Sequence, residues 1–246
     1  MTLDSLDLAA LQVAARHAWR IALAYPWRLI GCTVLVLFAV DLLNYVPSVG
    51  FLFRIALGSL LFAQILVLFR EAARGEEPKA TTLVQALSLP MSSQFALVLS
   101  EWAQFALALA FLWQAGGNDA VHAFFADARG DNVLDETLSF EFKVVLFVVS
   151  APLTFLAPAI VLAGAHGLAA VRLALQAALR NPLFVVLLLC LDVVLEFVLA
   201  RIGGAGTLVY LPVLVLSLVY ELALLYTVSM RVFRLAPDPT VEAPRR

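Results

Sequence analysis

"PLFVVLLLCLDVVLEFVLAR", residues 182 to 201, is an apolar run with two carboxylates, Asp192 and Glu196, set four residues apart inside it. A helix rises about 1.5 Å per residue, so some twenty apolar residues cross the ~30 Å hydrocarbon layer of a bilayer. The composition points the same way: of 246 residues, 63% are hydrophobic and 14% charged, with a mean hydropathy of +0.97. Soluble domains are nearer half apolar and a quarter charged. Similar runs at 28–46, 51–70, 95–114, 143–165 and 209–229 join 182–200 as predicted transmembrane helices. Helices satisfy their own backbone hydrogen bonds in lipid. The expected fold class is therefore an all-α integral membrane protein, with six transmembrane helices in three hairpins.

Basic residues set the orientation. Arg16, Arg20, Arg28, Arg70, Arg74, Lys79, Arg172, Arg180, Arg231, Arg234, Arg245 and Arg246 fall on one side of such a chain; Arg54, Arg129, Lys143 and Arg201 lie at or near the other. Positive charge stays on the cytoplasmic side, which predicts cytoplasmic termini and a multi-pass protein of a bacterial inner membrane. The plan is a single membrane domain. A cytoplasmic amphipathic segment (1–27) leads to a first hairpin (28–70), then a cytoplasmic loop with an interfacial helix (71–94). A second hairpin (95–165) carries an acidic outer loop (115–142), and a cytoplasmic amphipathic helix (166–181), a third hairpin (182–229) and a cytoplasmic tail (230–246) follow. Tyr25, Trp27 and Tyr226 are expected at the inner membrane boundary, and Tyr45, Trp113 and Tyr210 at the outer one. "MTLDSLDLAALQVAARHAWR" lacks the basic start and continuous apolar core of a signal peptide, so no cleavage is expected.

Residues 20–37 align without a gap on 172–189, setting Arg20 on Arg172 and Arg28 on Arg180. With "TTLVQALSLP", where Thr81 or Thr82 is a candidate N-cap, this suggests three parallel copies of an interfacial helix followed by a hairpin. The outer loop carries Asp119, Asp127, Asp131, Asp135, Glu136 and Glu141, but "DARGDNVLDE" lacks the spacing of a calcium loop. Its apolar "AVHAFFA" is expected on the outer membrane surface or capping the bundle. Cys32 and Cys190 lie in apolar runs and read as small core residues.

Several short motifs carry a resemblance. Phe155, Ala157, Pro158 and Ala159 precede an amphipathic helix, after which Arg180 and Asn181 open the next span; "YVPSVGFLF" and "LFREAARGEEP" flank the second span. In these features the chain resembles a family of uncharacterised six-span integral inner-membrane proteins of Gram-negative bacteria. The resemblance implies inner-membrane placement and carries no activity to transfer.

An aspartate at a span centre costs about 2.5–3.5 kcal/mol on the insertion scale, and each Leu, Val or Phe returns only about 0.3–0.6. Span 182–200 therefore inserts marginally alone, and its carboxylates, on one helix face, should turn to neighbouring helices. The ionisable groups within the spans are Asp41, Arg54, Glu101, Asp192, Glu196 and Glu221. Asp41 with Arg54, and Glu196 with Arg201, are candidate structural ion pairs. Asp192, Glu196 and Glu221, and less directly Glu101, are candidates for an intramembrane ion or proton site; the same groups also suit interhelical hydrogen bonding that fixes packing. Pro152 and Pro158 are expected to kink the fourth span by removing amide donors.

Catalysis is disfavoured. No zinc-protease helix, nucleophile elbow or phosphate loop is present, and His17, His122 and His166 are scattered. No metal or cofactor is expected. A net charge of −2 with dispersed basic residues excludes nucleic acid as a partner. Two functions remain. The first is a membrane scaffold or accessory protein, with Arg20, Arg28, Arg172 and Arg180 contacting lipid headgroups, a partner membrane protein or a second copy. The second is a small proton- or cation-coupled transporter. A hydrated cavity would favour transport, and a dry bundle with a lipid-facing groove would favour assembly.

Overall fold

A computed structural model describes residues 3–43, 46, 50–127, 136–202 and 207–235, so Tyr45, Asp131 and Asp135 lie outside it. Every element among the described residues is helical. Helix α1, Leu8–Ala24, begins where Asp7 accepts a 2.7 Å hydrogen bond from the Ala10 amide. It ends at Tyr25 because Pro26 follows, disfavouring helical backbone in the residue before it. The same proline opens α2, Pro26–Leu42, where no amide donor is needed. The two helices meet at 89°.

Helix α3, Gly50–Ala73, closes with Gly75 at φ +75°, a left-handed turn open to glycine; the Gly75 carbonyl then accepts from the Tyr25 hydroxyl at 2.7 Å. The next segment is shorter than expected. Helix α4, Thr81–Val84, is one turn, continued by a 3-10 turn over Gln85–Ser88. Neither threonine caps it: α4 starts after Ala80 without a side-chain cap, and the Thr82 hydroxyl donates to the Glu71 carboxylate at 2.8 Å.

Helix α5, Met91–Asp127, overruns the expected span and breaks at Gly117 (φ 67°, ψ −161°). Beyond that break "AVHAFFA" folds back, and Phe124 packs on Phe105 (5.9 Å between ring centres) and on Phe142 (4.7 Å) of α6, Glu136–Ser150. It caps the α5–α6 pair. After a 3-10 turn over Ala151–Leu153 comes α7, Leu156–Val161. The two prolines thus act differently: Pro152 sits in the break, whereas Pro158 lies in the first turn of a new helix, where its missing amide is not required. Helix α8, Gly167–Arg180, α9, Pro182–Ile202, and α10, Thr207–Val232, complete the bundle.

Among the described residues, five helical stretches are long and apolar enough to cross a membrane: Leu52–Ala73, Met91–Phe125, Thr137–Val161, Pro182–Leu199 and Val209–Val232. Helix α2, at 17 residues, joins them only as part of the bent pair with α1.

Asn181 (φ −126°, ψ 51°) repeats the backbone of Tyr25 (φ −137°, ψ 61°), and each precedes a proline that starts the next helix. Superposing these corners sets Pro26 on Pro182 and Arg16 on Arg172, one helical turn away from the alignment of Arg20 with Arg172. Burial follows the corrected register. Ala14 and Ala18 match Ala170 and Ala174, and all four are fully buried. Small residues on these faces let helix backbones approach closely.

One core gathers α1, α7, α8 and the ends of α9 and α10 around Phe155, Phe184 and Phe233; a second joins α2, α3 and α10 with the latter part of α1, and a third lies between α5 and α6 around Phe142. Tyr226 belongs to the second core and is buried, not placed in an interfacial belt. Of the two cysteines expected in cores, Cys32 is buried and Cys190 is exposed on the surface of α9.

Candidate functional site

The carboxylates of "CLDVVLEFVLAR" part company in the structure. Glu196, 18% exposed at its side chain, is paired with Lys143 of α6. Arg201, its expected partner, instead lies over the Phe197 ring, 5.0 Å from the centre. That expectation is corrected: α6 packs on α9 and brings a cation to Glu196 from the side, so the charge is met across helices. Asp192 faces Glu221 of the adjoining α10, near enough for the two charges to repel. Neither has a hydrogen-bond or ion-pair partner among the described residues.

Glu101 stands apart on α5, which packs on α3, α6 and α8, and it is exposed at the bundle surface. The candidate site is therefore the Asp192–Glu221 pair, with Glu196 assigned to Lys143. Asp41 and Arg54 lie near the facing ends of α2 and α3, and neither is without a partner.

The four expected headgroup arginines also divide. Arg28 pairs with Glu77 at 2.5 Å, and Arg180 donates to the Leu3 carbonyl at 3.0 Å. Arg20 and Arg172 remain exposed without partners among the described residues. The Arg180–Asn181 pair forms a latch. Asn181 is buried; its Oδ1 accepts from the Leu6 amide at 2.8 Å, and its Nδ2 donates to the carbonyls of Asp4 and Ala177 at 3.0 Å. On the other side the Asp4 amide donates to Val232 O at 3.0 Å, and Arg234 Nε to the Asp4 carboxylate at 2.7 Å. That bond holds the Asp4 carboxyl below its usual range. Residues 3–6 are thereby fixed between the ends of α8 and α10.

From this latch α1 runs along α10. Arg231 donates to Ala10 O at 3.0 Å, and further along Trp19 packs edge-on against Tyr220, 6.0 Å between ring centres. Beside this seam lies a 580 Å³ groove lined by Ala15, Arg16, Trp19, Arg20 and Tyr220. Ala15 also lines a 190 Å³ cleft formed by Leu11 and Gln12 of α1, Leu187, Leu188 and Leu191 of α9, and Leu224 of α10. Gln12 is its only polar lining residue, so the cleft is apolar. Arg16 was missed in the sequence, although its spacing of four from Arg20 puts both on one helix face.

Half-buried His17, on the same helix, is held below the usual histidine pKa, first by burial and then by Arg231 and Arg20. Folding therefore favours the neutral imidazole. This contribution is complete above the unfolded value near 6.5 and is lost as pH falls through it toward the folded one. The melting temperature is expected to drop between about pH 7.5 and pH 5.5, and His17→Gln to flatten that drop. Equal pH dependence in both proteins would refute the assignment. Comparison with protein-family models, curated proteins and solved structures finds no match to this chain.

Proposed function

We propose that the protein is a non-catalytic scaffold or accessory protein of a bacterial inner membrane, contacting lipids and through that surface a membrane partner or a second copy. In this reading six spans form three hairpins with both termini cytoplasmic, as the distribution of arginines favours. The matched corners at Tyr25–Pro26 and Asn181–Pro182 support an internally duplicated plan. Membership of the resembling inner-membrane family is part of the same proposal.

One observation carries the reading: the cleft that α1 forms with α9 and α10, the two helices that bear Asp192 and Glu221, is lined by leucines with Ala15, Phe184 and Gln12 and by neither acid. A transporter needs water, or a chain of polar groups, to reach its intramembrane acids. The lining of this cleft is apolar and suited to hydrocarbon.

The facing, unpaired Asp192 and Glu221 favour the second reading, proton- or cation-coupled transport. Reconstitution in liposomes under an imposed pH or potassium gradient separates the two. No flux above protein-free liposomes is expected. Flux that disappears in Asp192→Asn with Glu221→Gln would overturn the scaffold reading and establish transport.

A further inference from the structure

We infer that the seam along α1 binds an anionic phospholipid, with its phosphate on Arg16 and Arg20 and one acyl chain in the cleft between α1, α9 and α10. This rests on the lipid-contacting reading above and names the lipid. Ala15 lines both the groove and the cleft, so the two spaces border the same residue of α1. Leu8, Leu11, Ala15 and Trp19 follow at helical steps of three and four, which lays the seam along one face of α1. Its composition changes along its length, from leucines at one end to two guanidiniums, an indole and a phenol at the other. That is the polarity of a single amphiphile.

Charge decides its sign. Arg16 and Arg20 have no acidic partner among the described residues, and Arg20 and Arg231 both act on His17 between them. Guanidinium forks match phosphate oxygens closely, and an arriving phosphate relieves repulsion among the cations. A peptide fits less well. The cleft offers it only Gln12 as a polar partner, so its backbone amides would be buried unpaired. A free anion would use the arginines and leave the cleft empty.

The test uses the full chain in a neutral detergent, titrated with dioleoyl phosphatidylglycerol or dioleoyl phosphatidylcholine and read by native mass spectrometry and thermal unfolding. Two basic side chains, each giving about a fivefold factor, predict a preference of roughly 25-fold for the anionic lipid. Arg16→Gln with Arg20→Gln is expected to abolish it, and Lys79→Gln, on an exposed residue before α4 and outside the seam, to leave it intact. Leu187→Trp, which obstructs the cleft, should weaken binding of both lipids. Glycerol 3-phosphate, the head without chains, should stabilise little. Equal binding of the two lipids, a preference surviving in the double variant, indifference to Leu187→Trp, or full stabilisation by glycerol 3-phosphate would each overturn the assignment. None of these outcomes bears on ion flux, so failure here is distinguishable from failure of the scaffold reading.

Discussion

Lys143→Met is expected to lower the melting temperature in detergent or nanodiscs, whereas Asp192→Asn leaves it nearly unchanged. The two acids sit four residues apart on α9 but occupy different situations. Glu196, with its side chain only 18% exposed, loses its single cation when Lys143 goes. Removing one partner of a buried pair costs about 3–5 kcal/mol; Lys143 is 45% exposed, so we expect the lower end or less, about 2–3 kcal/mol. Adding Glu196→Gln to Lys143→Met removes the orphaned charge and should recover much of that loss. Asp192 has no hydrogen-bond or ion-pair partner to lose among the described residues, and its neutralisation should change stability by no more than about 0.5 kcal/mol. Similar losses in Lys143→Met and Asp192→Asn would show that the α6–α9 ion pair is not what distinguishes these carboxylates.

Asn181→Leu is the second large effect. The substitution leaves the Leu6 amide and the Asp4 carbonyl without their partner at a site only 1% exposed, while the Ala177 carbonyl keeps the Asn181 backbone amide. Each such group costs about 1–3 kcal/mol if it stays buried. Release of the N-terminal segment into water limits the total to about 3 kcal/mol. Hydrogen exchange separates the two consequences: the Leu6 amide should exchange much faster, while amides of the α2–α3 core change little. Asn181→Asp keeps the acceptor for Leu6 and loses both donors, so it should fall between. Unaltered Leu6 exchange in Asn181→Leu would mean that this segment is held by something other than the asparagine.

The long helices were legible because twenty apolar residues in a row admit few structures. The predicted run 182–200 lies within α9, Pro182–Ile202. Interruptions were less legible. Pro152 and Pro158 look alike in sequence, and only the position of each relative to a helix start distinguishes a break from a first turn. The proposed repeat rests on leucine and alanine so frequent that a one-turn slip costs few matches; the matched proline corners favour the shifted register. Partners across helices were hidden for a different reason. Which cation meets Glu196 depends on the rotation of α6 about its axis, and hydropathy does not record rotation. Asn181 was singled out in the sequence, yet two of its partners, Leu6 and Asp4, lie 175 and 177 residues away, beyond any local pattern.

The latch also has a consequence for biosynthesis. Leu3 and Asp4 are made well before the groups that hold them: Arg180 and Asn181 follow 177 residues later, and Arg234 follows Asp4 by 230. The segment therefore waits for its partners, and α1 waits with it, because the helix it packs along, α10, is also made later. Closure of this segment onto the ends of α8 and α10 is thus a step that follows synthesis of both helices. A nascent chain stalled before α10 would carry an unsheathed amphipathic helix.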